Sequence, residues 1–99
     1  MTRGTTPRHT WKLPFSSSKV KEAMVIYAQN DVEVFHKDTY ECAMDGNEIS
    51  VVLTQEETLK FDHNFNVQMQ LRVLTDEGEA LASVIRCVSV QKCLNDEVL

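Results

Sequence analysis

Three imidazoles, three thiols and a scatter of carboxylates are the side chains here that could carry chemistry, and their spacing decides whether they do. His9, His36 and His63 stand far apart. None lies one or two strand positions from another histidine or a cysteine, so no local segment presents zinc ligands on one face. Asp62 and His63 are adjacent, but neighbouring residues of an extended strand point to opposite faces, so they form no local acid–base pair. Cys87 follows Arg86, and a nearby cation lowers a thiol pKa. No histidine is close to it, however, and it falls in a strand pattern, which reads as a buried, inert cysteine. Ser16-Ser17-Ser18 lacks the glycines of a nucleophile elbow and reads as a connector. Gly4, Gly46 and Gly78 are too far apart for a phosphate cradle and suit turns. The carboxylates of Glu56, Glu57, Asp62, Asp76, Glu77 and Glu79 lack the spacing of a calcium loop and read as a solvated acidic rim. The expectation is a chain with no catalytic residue, no metal ligands and no cofactor.

The aromatic residues offer a different chemistry. Trp11, Phe15, Tyr27, Phe35, Tyr40, Phe61 and Phe65 would suit a sugar-binding face if exposed, but their strand positions assign most of them to a core. Trp11 and Tyr40 are the two whose exposure decides the matter.

Period-two alternation dominates the elements that must position these groups. In Val67-Gln68-Met69-Gln70-Leu71-Arg72-Val73 the apolar residues share one face and the polar ones the other, a half-buried strand. Thr75-Asp76-Glu77-Gly78 turns it into a partner spanning Ala80 to Val90. Lys21 to Ala28 and Val32 to His36 form a second hairpin through Gln29-Asn30-Asp31. Glu48 to Thr54 places Ile49, Val51 and Leu53 on one face after the Asp45-Gly46-Asn47 turn, with Tyr40 to Met44 as a short strand leading in. The first strand is His9 to Phe15, and Pro14, lacking an N–H, puts it at a sheet edge. Gln55-Glu56-Glu57-Thr58 is one helical turn, capped by Thr54 with Glu57 completing a capping box. About seven strands and no long helix predict an all-β, antiparallel two-sheet sandwich of immunoglobulin-like architecture. Cys42 and Cys87 would be the inter-sheet pair of such a fold, but Trp11 lies upstream of both rather than between them.

The 99 residues suit one domain, read as a flexible segment 1–8, a sandwich 9–94 and a tail 95–99. Mean hydropathy of −0.27 with 42% hydrophobic residues is that of a folding chain, and no apolar run approaches the ~20 residues of a membrane span. Met1 to Pro7 has no apolar run resembling a secretory signal, and three unrelated cysteines suit a reducing compartment. A net charge of −5 gives no general attraction to nucleic acid. Positive charge is concentrated early, in Arg3, Arg8, Lys12, Lys19 and Lys21, while acidic residues dominate afterwards.

One resemblance goes further. Ile49-Ser50-Val51-Val52-Leu53-Thr54-Gln55-Glu56-Glu57-Thr58-Leu59-Lys60-Phe61, then Val67 to Val73, then Asp76-Glu77-Gly78-Glu79-Ala80-Leu81-Ala82-Ser83, with Thr10-Trp11-Lys12-Leu13-Pro14-Phe15 and Tyr27-Ala28-Gln29-Asn30 before them, resembles small proteins encoded in prophages and phages of Gram-positive gut bacteria. More distantly the pattern resembles the immunoglobulin-like N-terminal domains of phage baseplate upper proteins. The resemblance implies a virion-associated or assembly-related accessory protein, made in the host bacterial cytoplasm. It would contact other phage structural proteins or itself, as a homo-oligomer, with no nucleic acid or membrane partner. A carbohydrate-binding or adhesion module is the alternative. Trp11, Pro14, Tyr40, Val98 and Leu99 are the candidate interaction residues, two at the edge strand, one exposed ring and two in the apolar-ended tail.

Overall fold

A computed structural model describes all residues, Met1–Leu99. Two antiparallel sheets pack face to face. One has the order β1 (Arg8–Lys12), β5 (Glu48–Val52), β4 (Ala43–Asp45). The other runs β3 (Val32–Lys37), β2 (Val20–Gln29), β6 (Val67–Thr75), with β7 (Ala80–Ala82) and β8 (Arg86–Val88) both on the outer side of β6. The period-two residues meet between the layers: Trp11, Leu13, Ile49, Val51 and Leu53 from the first sheet, and Ala23, Val25, Tyr27, Val67, Met69, Leu71 and Val73 from the second. Phe61 closes one end, its ring 5.3 Å from Phe35, which lies 5.0 Å from Tyr27.

Local chemistry sets the connections. Asn30 and Asp31 both take left-handed backbone, with φ of 51° and 62°, and make the two-residue turn from β2 to β3. Gln68 holds that turn, accepting from the Asp31 N–H at 2.9 Å and donating to its carboxylate at 2.8 Å. The helical turn α1 (Gln55–Thr58) forms with the expected capping box: Glu57 N–H donates to Thr54 Oγ1 at 3.1 Å, and Thr54 N–H to Glu57 Oε1 at 2.8 Å.

Several expectations are corrected. Tyr40 to Met44 is not one strand; Thr39–Glu41 is a 3-10 turn, because Asp38 N–H bonds the Glu41 carboxylate and Thr39 Oγ1 donates to Ala23 O, and only then does β4 begin. Ser17–Lys19 is also a 3-10 turn rather than plain connector. Ala80 to Val90 is broken in two. Leu81 faces Val73 and Cys87 faces Gln68, so the pairing shifts by one residue between β7 and β8. Ser83, Val84 and Ile85 are the bulge that absorbs it, with Ser83 exchanging bonds with Leu71 through its N–H and its hydroxyl. Cys87 is exposed, not buried, because it stands on the opposite face from the core-packed Val88; all three thiols are free, with no Cys42–Cys87 bridge.

Both ends lie against the body, where the sequence suggests a flexible 1–8 and a loose tail. Thr58 is fully buried and accepts from Gly4 N–H at 3.0 Å while donating to Thr5 O at 2.9 Å. Thr2 bridges Gln91 in parallel, Arg3 pairs with Asp96 at 2.9 Å, and Leu99 N–H donates to Gln55 Oε1 at 2.8 Å.

Candidate functional site

β1 has a neighbour on one side only. Leu13 N–H bonds Asn47 O and Leu53 N–H bonds Pro7 O, so the odd-numbered residues of β1 exchange ladder bonds with β5. Arg8, Thr10 and Lys12 therefore turn their N–H and C=O groups outward. This is the edge that Pro14 announces in the sequence, and Pro14 itself is exposed just beyond it.

Across the seam from this edge lie β7 and β8. Arg86 stands opposite Met69, on the core-facing side, and reaches over to the other sheet. Its guanidinium carbon sits 4.2 Å from the centre of the Trp11 ring, and its Nη1 donates to Thr10 O at 3.2 Å. Farther along, Leu81 stands opposite the buried Val73 and so faces inward, yet it is 37% exposed. Nothing covers it. Between Trp11–Phe15 and Leu81–Ser83 runs a mostly apolar groove of ≈ 260 Å³. One donor on its lining, Trp11 Nε1, is buried without an acceptor, as are Arg86 Nε and Arg3 Nε outside the groove. A larger depression, ≈ 470 Å³, lies along β2, β6 and β7, with Glu22, Asp38 and Arg72 among its lining.

The five sequence candidates do not converge. Trp11, whose exposure the sequence left open, is only 7% exposed: its ring is core, packed under Arg86, and it also lines the groove. Pro14 lies on the groove's rim. Tyr40, 85% exposed, sits on the 3-10 turn joining β3 to β4, at the opposite side of the sandwich. Val98 and Leu99 are exposed beside α1. Leu81 lines the groove and Arg86 covers the Trp11 ring beside Thr10 O, and both went unnoticed as interaction residues. The signal for Arg86 was present, a cation in register with Val88 and Val90 on an apolar face.

The titratable groups are structural. His9 Nδ1 and the Tyr27 hydroxyl share a 2.7 Å hydrogen bond in the core. Burial first, then the Arg86 charge, holds the His9 pKa below its ordinary value, and burial pushes that of Tyr27 up. Lys37 is bound by Glu57 at 2.6 Å and Glu41 at 3.4 Å. Burial pushes the Glu57 carboxyl up, but hydrogen bonds from Lys37 and Thr54 outweigh it and hold the pKa below the usual range. A hydrogen bond to the Glu33 carboxylate raises that of the exposed His36, and burial raises that of Cys42. No three His, Cys, Asp or Glu side chains group closely enough to hold a metal ion, and no helix is long and apolar enough to cross a membrane.

No protein-family model matches the chain, and no curated protein does. Among solved structures, the immunoglobulin-like domain of mouse leukocyte-associated immunoglobulin-like receptor 1, crystallised as a strand-swapped dimer, is similar over 93% of this chain and 85% of that one. The TM-score is 0.52 and the identity 12%, which carries the fold alone. In that architecture one sheet is ordered A-B-E-D and the other G-F-C-C′. Here β1-β5-β4 takes B-E-D and β8/β7-β6-β2-β3 takes G-F-C-C′. The place of strand A, beside β1, is filled by no strand among Met1–Leu99. The chain is an immunoglobulin-like β-sandwich with an open position at the β1 edge.

Proposed function

We propose that this chain is a non-catalytic structural or assembly module of a phage particle that acts by receiving a β-strand from a neighbouring protein along β1. The open strand position beside β1 carries this reading. Unpaired edge groups give affinity to an added strand, and a flanking apolar groove gives it somewhere to bury side chains. The resemblance to prophage-encoded proteins supplies the setting: synthesis in the host cytoplasm and partners among the phage's structural proteins. The similar receptor domain crystallised as a strand-swapped dimer, a kind of contact that an uncovered edge also suits. Non-enzymatic action accords with titratable groups that are paired for structure. Sugar binding by stacked rings has little to rest on once Trp11 is in the core, leaving Tyr40 as the strongly exposed ring.

The test is mass spectrometry of particles from an induced host carrying this gene, beside the same host encoding Thr10→Pro. The Thr10 N–H points away from the sheet, so proline there spares the ladder but blocks strand addition. The wild-type chain is expected in the particles and the variant, still folded by circular dichroism, is expected to be lost from them. Absence of the wild-type chain from particles overturns the phage reading. Equal incorporation of the variant overturns strand addition at β1.

A further inference from the structure

We infer that the strand received beside β1 is acidic: an extended segment of another polypeptide with carboxylates at alternate positions opposite Arg8 and Lys12, and an apolar face turned into the groove. This rests on the strand-adding reading of the same edge and names the chemistry of its partner.

Charge is the first observation. Residues 7–15 and 80–88, which form the two sides of the seam, contain no aspartate or glutamate in a chain of net charge −5. They contain Arg8, Lys12 and Arg86. Every ion pair in the chain uses Arg3, His36 or Lys37, so these three cations lack a carboxylate within 4.0 Å. Lys12 faces Glu48 across the ladder with β5, and Arg8 borders a depression shared with Asp45 and Glu48, so the carboxylates of this face lie on the β5 side and the flank away from β5 carries none.

Pleating is the second. Trp11 and Leu13 point into the core, so Arg8, Thr10 and Lys12 share the outer face of β1. A strand laid beside β1 brings its own outward residues roughly 5 Å from these, where opposite charges stabilise and like charges destabilise. Its inward residues would cover Leu81 and the end of the groove. The same geometry disfavours a second copy as occupant, since β1 paired with itself about Thr10 sets Arg8 against Lys12. The orphaned Trp11 Nε1 makes the third observation: it is a donor on a residue that lines the groove, and an incoming carbonyl or carboxylate supplies what it lacks.

The experiment titrates the full chain, with backbone amides assigned by NMR, against two short synthetic peptides, one alternating Val and Glu, the other Val and Lys. The Val/Glu peptide is expected to shift the amides of Arg8, Thr10 and Lys12 and to bind about tenfold tighter at low salt, the gap closing as salt rises. The exposed double substitution Arg8→Gln with Lys12→Gln is expected to erase the preference without unfolding the protein. Equal binding of both peptides at β1 overturns the acidic partner and leaves the edge reading standing. If neither peptide moves the β1 amides, the edge reading fails as well.

Discussion

Lys37 is 5% exposed at the end of β3, and the cost of burying its ammonium is offset by the Glu57 and Glu41 carboxylates, one from α1 and one from the 3-10 turn after β3. Lys37→Met fits the space but strands two carboxylates, and is expected to lower unfolding free energy by about 2 kcal/mol in urea titrations. The two depressed pKa values predict how stability depends on pH. His9 is kept neutral by burial, so its contribution is fully present above the ordinary imidazole value of 6.5 and is lost as pH falls from there through the folded value. Glu57 contributes fully above 4.5, and that part is lost as pH falls through its own lower value. Thermal melts across this range should therefore decline in two stages on acidification. His9→Gln should remove the first and Lys37→Met should weaken the second. His36 works in the opposite sense, contributing below 6.5 and losing that contribution as pH rises through its raised value.

Among the elements, the turns were the most legible in sequence and the most local in cause. Asn30-Asp31 announces a tight hairpin because both residues tolerate left-handed backbone, and both adopt it. Asn30→Val puts a β-branched side chain at φ 51° and is expected to cost about 1–2 kcal/mol, read as a lowered denaturation midpoint. The capping box at Thr54 and the alternation of β6 were equally readable, since each rests on neighbours in sequence. The break between β7 and β8 was not. It depends on Ser83 bonding Leu71 twelve residues earlier, and Ala80 to Val90 alone carries no mark of the extra residue. For the same reason the candidate groove was half visible. Trp11 and Pro14 could be placed at an edge from their own strand, whereas Leu81 and Arg86 join them only through the meeting of two sheets.

For the whole molecule, the fold follows from patterning, while the open position is a property of topology. A sandwich stays soluble with free edges when those edges carry charge, and here Arg8, Lys12 and the Arg86 guanidinium over Thr10 O do so.

The parallel bridge between Thr2 and Gln91 has a mechanical consequence. Its chain segments run the same way, with Arg3 N–H donating to Gln91 O and Gln91 N–H to Met1 O. Tension applied between the two ends of the chain therefore loads these bonds side by side in shear, and they do not open one after another as a zipper does. Once the weak hold of the last few residues gives way, resistance passes to this clasp and to the Thr58 hydroxyl behind it. Pulled by its ends in a force spectrometer, the domain is expected to yield in one abrupt event. Thr58→Val, which releases Gly4 and Thr5, is expected to lower the yield force more than an exposed substitution of equal thermodynamic cost. A domain built this way is expected to resist being drawn out lengthwise, with its β1 flank outside the clasp that carries the force.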